Sequence, residues 1–82
     1  MKINKSGRGF EFIDFVDRYG TKCSLQQSSL ADYEKPGYSA IWLGDNESRM
    51  HIDRKQLEEL LPHLQAWLDN GSFEVEVPNE TQ

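Results

Sequence analysis

Residues 53–71 restrict the possible folds of this chain more than any other stretch, because they spell a helix with both ends marked. Asp53 has a side chain suited to accept from the free backbone amides of a first turn, and Gln56 stands where a capping box requires it. Ile52 and Leu57 are placed to form a hydrophobic staple across that start. Leu57, Leu60, Leu61, Leu64 and Leu68 then recur at helical spacing, with Glu58, Glu59, Gln65 and Asp69 on the other side, and Asn70-Gly71 supplies a left-handed stop. Pro62 falls inside this span. An interior proline removes one backbone hydrogen bond and crowds the preceding turn at a cost of about 3 kcal/mol, so the expectation is one long helix kinked near residues 58–61. Such a leucine stripe needs an apolar layer to rest on, and the remainder of the chain has to provide it.

Two hairpins are the source of that layer. Asp17-Arg18-Tyr19-Gly20 has the residues of a type I turn followed by a left-handed glycine. Closing it with Asp17 opposite Thr21 sets Phe15 opposite Cys23 and Ile13 opposite Leu25 on one face. A second pair of strands flanks Asp45-Asn46-Glu47-Ser48, with Leu43 opposite Met50 and Ile41 opposite Ile52 on one face, and Trp42 opposite His51 and Gly44 opposite Arg49 on the reverse. Between the hairpins, residues 28–38 break the alternation and suggest a single helical turn within a loop that Pro36-Gly37 ends. Phe73, Val75 and Val77 alternate with Glu74 and Glu76 as a half-buried final strand. The fold class is therefore α+β: an antiparallel sheet of four to five strands, made of two hairpins plus a C-terminal strand, packed on one long, Pro-kinked helix. Residues 1–9 are expected to form a flexible basic arm, 10–77 a single α+β domain, and 78–82 a disordered tail.

With 82 residues the chain has room for one core and no second domain. Leu, Ile, Val and Phe make up about 23 % of it, above the roughly 20 % below which disorder is expected. About a dozen large apolar side chains offset chain ordering only narrowly at this size, so self-association could add stability. The formal charge of -5 argues against a nucleic-acid binder whose affinity comes from phosphate neutralisation. All of that charge belongs to residues 53–82, whereas Lys2, Lys5 and Arg8 make the start basic. No apolar window is long enough for a membrane span or a signal peptide, which points to a soluble, cytoplasmic protein.

Catalytic chemistry finds little support. Cys23 is the sole cysteine, so it has no internal disulfide partner, and the hairpin register turns it toward the core and away from a base such as His51 or His63. The two histidines have no second cysteine and lie outside the usual zinc spacings, so neither a metal nor another cofactor is expected. The carboxylate pairs Asp14 with Asp17, Glu58 with Glu59, and Glu74 with Glu76 read as solvated faces, and the scattered glycines form no phosphate cradle. More informative is the sheet face turned from the helix, where Phe12, Trp42, His51 and Arg49 fall among Ser24, Gln26 and Lys22. Trp and Arg are favoured at binding hot spots. Either this face is a protein contact, or residues 28–38 or the N-terminal arm fold over Trp42 and bury it. Trp67 and His63 sit off the centre of the leucine stripe, at a rim that could meet a second subunit.

Asp17-Arg18-Tyr19-Gly20 with Cys23-Ser24-Leu25-Gln26-Gln27-Ser28-Ser29, Ile41-Trp42-Leu43-Gly44, Arg49-Met50-His51-Ile52 and Leu60-Leu61-Pro62-His63-Leu64 together resemble a family of small uncharacterised proteins encoded by tailed bacteriophages and prophages. The similarity covers most of residues 12–71. It implies a phage origin and expression in the cytoplasm of a bacterial host, and it transfers no catalytic or binding residue. Members often carry Leu at the place of Ile52 and a Phe near Trp67, and some have a longer segment in place of residues 45–48. The functional expectation is a non-enzymatic accessory protein that binds a host protein or its own copy, with Phe12, Trp42, His51, Arg49 and Trp67 as candidate contacts. Alternatives are an acidic mimic of nucleic acid that inhibits a host nucleic-acid-binding or defence protein, and a small-ligand sensor or enzyme using His51 with Trp42.

Overall fold

The computed structural model describes residues 1–31 and 35–75. Among these residues lie five strands and one helix: β1 (Asn4–Lys5), β2 (Glu11–Val16), β3 (Lys22–Gln27), β4 (Ala40–Asp45), β5 (Arg49–Asp53) and α1 (Arg54–Asn70). The strands form one antiparallel sheet in sequence order. Both hairpins have the expected register. Phe15 faces Cys23 and Ile13 faces Leu25 in the first; Leu43 faces Met50, Ile41 faces Ile52 and Trp42 faces His51 in the second. The first turn is held by Asp17, whose carboxylate accepts from the N–H groups of Tyr19 and Thr21 at 2.8 and 2.9 Å, while Gly20 takes a φ of 86°. In the second turn the Asp45 carboxylate accepts from the N–H groups of Glu47 and Ser48.

Two expectations change, and a third falls partly outside the described residues. The fifth strand comes from the basic N-terminal segment, not from the C-terminus: Asn4 and Lys5 pair with Phe12 and Glu11, and Ser6 N–H donates to the Phe10 carbonyl across the return. Backbone pairing to an open edge needs no apolar side chain, so a polar segment can supply it. Phe73 and Val75 are not in a strand, and Val77 lies outside the described residues. The helical turn expected within residues 28–38 falls partly on residues 32–34, outside the described set; residues 35–38 form a turn closed by Tyr38 N–H on the Lys35 carbonyl.

The helix starts and stops where the sequence marks it. Asp53 accepts from Gln56 N–H at 2.8 Å, Gln56 Oε1 accepts from Asp53 N–H at 3.0 Å, and Gly71 closes the end with a φ of 79° and its N–H on the Trp67 carbonyl. Pro62 stands inside a single helical element of 17 residues. The packing of this helix is the main departure. It meets the sheet along β5 and does not lie across the Ile13–Leu25–Leu43 face. Leu61, Leu64 and Leu68 stay 64, 51 and 71 % exposed, and among the described residues the buried apolar ones are Ala40, Ile52 and Ala66. Asp53 is both the last residue of β5 and the cap of α1, so no linker exists to fold the rod back over the sheet.

Gly44 has a φ of 141°, and a Cβ there would lie 2.5 Å from the Ser48 carbonyl oxygen and 3.0 Å from Arg49 Cα. Gly44→Ala is expected to destabilise the fold by about 1–3 kcal/mol, the usual cost of forcing a strained backbone, whereas Gly7→Ala, where a Cβ meets nothing within 4 Å, leaves the denaturation midpoint unchanged. Chemical denaturation of both variants checks this.

Candidate functional site

Strand alternation sorts the sheet into two faces. Ile13, Phe15, Cys23, Leu25, Ile41, Leu43, Met50 and Ile52 share one; Phe12, Ser24, Gln26, Trp42, Arg49 and His51 share the other. On the second face the β4–β5 register brings Trp42 and His51 together as a parallel stack, with ring centroids 3.9 Å apart and an interplanar angle of 7°. Arg49, two residues before His51 and so on the same face, places its guanidinium 4.9 Å from the Trp42 ring centroid.

Polar side chains from β3 and the loop after it fix this cluster. Arg49 Nη1 donates to Gln26 Oε1 at 3.3 Å, and Gln26 Nε2 donates to Ser24 Oγ at 2.9 Å. His51 Nε2 and the Ser28 hydroxyl share a hydrogen bond of 2.8 Å, and the Ser28 oxygen also accepts from Leu30 N–H at 3.1 Å. Ser24 and Ser28 are 4 and 3 % exposed, so these anchors are fixed from below while the rings they hold reach the surface. Trp42 is half-buried, and His51 and Arg49 are exposed. The N-terminal turn borders the cluster without closing it: Ser6, Arg8 and Phe10 line a small cavity of about 210 Å³ together with Phe12, Trp42 and Arg49. Phe12 lies opposite Gln26 and is half-buried at its wall.

Four of the five expected contact residues therefore meet on one face: Phe12, Trp42, His51 and Arg49. Trp67 does not. It stands on α1, 52 % exposed, apart from the stack. His63, also on α1, donates Nδ1–H to the Phe73 carbonyl at 2.7 Å, drawing the segment after Gly71 back along the helix. The hairpin count already sets Gln26 and Ser24 on this face; Ser28 is not reached by it, nor is the third register, which faces Gln26 with Trp42.

Cys23 lies on the opposite face from His51, between Phe15 and Asp45 in the registers, half-buried, with its Sγ–H directed at the Thr21 carbonyl at 3.5 Å. Its burial, with the Asp17 and Asp45 carboxylates nearby, pushes the thiol pKa up despite a backbone hydrogen bond that pulls it down. Nucleophilic chemistry requires the reverse. Among the described residues no three His, Cys, Asp or Glu side chains gather as a cation site, and no helix is long and apolar enough to cross a membrane.

Because a raised pKa means less thiolate at any pH below it, Cys23 in the folded chain is expected to react with iodoacetamide at pH 8 more slowly than in the urea-unfolded chain. Mass-spectrometric timing of alkylation measures the difference, and an equal or faster rate in the folded chain contradicts the assignment. Comparison with protein-family models, curated proteins and solved structures finds no match to this chain.

Proposed function

We propose that this chain is a small phage accessory protein that acts in the bacterial cytoplasm without catalysis, by holding another protein against the Trp42 face of its sheet. The observation that carries this is the pre-set cluster of Trp42, His51 and Arg49, fixed by Ser28, Gln26 and Ser24. Aromatic and guanidinium side chains held rigidly lose little rotamer entropy on docking, and residues of this kind concentrate binding energy at protein interfaces. The phage origin rests on the resemblance carried by residues 12–71. The partner is a host protein with an apolar surface able to accept the indole and an acidic or carbonyl-rich rim for Arg49.

The test is affinity capture from host cells with the wild-type chain, Trp42→Ala and Arg49→Ala. The expectation is a partner retained by the wild type, lost with Trp42→Ala, and weakened tenfold or more, about 1.4 kcal/mol, with Arg49→Ala. Retention of the same partner by Trp42→Ala would sink the proposal. Salt separates it from nucleic-acid mimicry: capture through the Trp42 face changes little with ionic strength, whereas capture through Glu58, Glu59, Asp69 and Glu74 falls steeply and is lost when those acids are reversed in charge.

A further inference from the structure

We infer that the chain is a homodimer in which the leucine stripe of α1 and the Ile13–Leu25–Leu43 face of the sheet are covered by a second copy. This uses the surface opposite the Trp42 face and stands independently of the proposed function. Its first support is surface area. A folded monomer of 9.5 kDa is expected to expose about 5,000 Å², and this chain exposes 7046 Å². Counting the ten residues outside the described set as fully extended chain removes about 1,300 Å² of the difference. The remaining excess, about 700 Å² per chain, is close to the roughly 800 Å² per partner of a standard stable interface.

The second support is where the apolar surface lies. At 100° per residue, Leu57, Leu60, Leu61, Leu64 and Leu68 share one side of α1, and from Leu60 onward each is 45 to 71 % exposed. Ala66, the one buried residue of the helix, falls on the opposite side. Among the described residues, what cover the helix receives is thus on the wrong side for the leucines. Leu57, Leu61 and Leu64 instead look across an open cleft of about 320 Å³ toward Ala40 and Ile41. On the sheet, Ile3, Ile13, Leu25 and Ile41 line a further apolar hollow of about 140 Å³, and Met50 is 56 % exposed.

The third is that local contacts hold this cleft open. Besides the capping box, Arg54 N–H donates to the Ser39 carbonyl, its Nε–H donates to the Tyr38 carbonyl at 3.0 Å, and its guanidinium stacks 3.5 Å from the Tyr38 ring centroid. These contacts set the angle at which α1 leaves β5. One apolar rod and one apolar sheet face per chain, held apart at a fixed angle, are complementary under two-fold symmetry, where the rod of each copy covers the face of the other.

Analytical ultracentrifugation with circular dichroism tests this. The expected result is twice the chain mass, a melting temperature that rises with protein concentration, and loss of the dimer in both Leu61→Glu and Met50→Glu, whose side chains are exposed in the single chain. Trp42→Ala stays dimeric. A folded monomer with a concentration-independent melting temperature overturns the inference, including a compact monomer with the helix closed on its own sheet. So does a dimer that survives both Glu variants. If either Glu variant fails to fold, the concentration dependence of wild-type melting still decides.

Discussion

The junction at Asp53 governs this structure. One residue ends β5 by pairing with Ala40 and begins α1 by accepting from Gln56 N–H, so strand direction is converted into helix direction with no intervening chain. Loops usually absorb the mismatch between a sheet and the element packed on it; here none is available. The angle is held by the capping box on one side and by Arg54 on the Tyr38 and Ser39 carbonyls on the other. A helix that leaves a sheet at a fixed angle covers only what lies beneath its first turns. Ile52 is buried there and Leu57 half-buried, while the leucines from position 60 onward emerge. The exposed apolar surface follows from local hydrogen bonds at one residue, not from poor amphipathic design.

The sheet itself is built almost wholly from neighbours in sequence. Each strand pairs with the next, so every register is set by a tight turn or, between β3 and β4, by a loop whose ends are joined through Ser28 N–H on the Ala40 carbonyl. That third register matters most for the candidate site. It sets Gln26 opposite Trp42 and Ser24 opposite Gly44, which lets the Gln26 side chain reach Arg49 while Ser24 supports it from beneath. Gly44 contributes by its lack of a side chain: the strand comes so close to Ser48 and Arg49 that no Cβ fits, and this close approach carries Arg49 toward the indole. A one-residue slip in the β4–β5 register would turn Trp42 and His51 to opposite faces.

What the sequence disclosed and what it hid divide along a physical line. Asp17 with Gly20, Asp45 before its turn, and Asp53 with Gln56 and Gly71 all act through hydrogen bonds within four residues or through φ preferences, and each was legible because its cause is local. The facing of Trp42 with His51 followed by counting from a turn. The placement of α1 did not, because the stripe formed by Leu57, Leu60, Leu61, Leu64 and Leu68 states that the helix wants an apolar partner and says nothing of which chain supplies it. β1 was hidden for the opposite reason: Asn4 and Lys5 join the sheet through backbone groups that every residue carries. Phe73 and Val75 alternate like a strand, yet Ser72 N–H binds the Asn70 side chain, Glu74 N–H binds Ser72 Oγ, and the Phe73 carbonyl is taken by His63. Side chains thus compete successfully for the groups a ladder needs.

The two faces of the sheet have different chemistry, and that difference constrains how they can be used together. A second copy seated on the Ile13 face leaves the Trp42 face of each copy pointing away from the shared axis, because side chains on one strand alternate between faces. Each particle then carries two identical aromatic and guanidinium anchors on a rigid frame. The two anchors face opposite ways, so one partner surface reaches only one of them, and a dimer would bridge two partner molecules without the gain of a shared, multivalent contact. The binding strength of the Trp42 face then has to come from the chemistry of the single cluster.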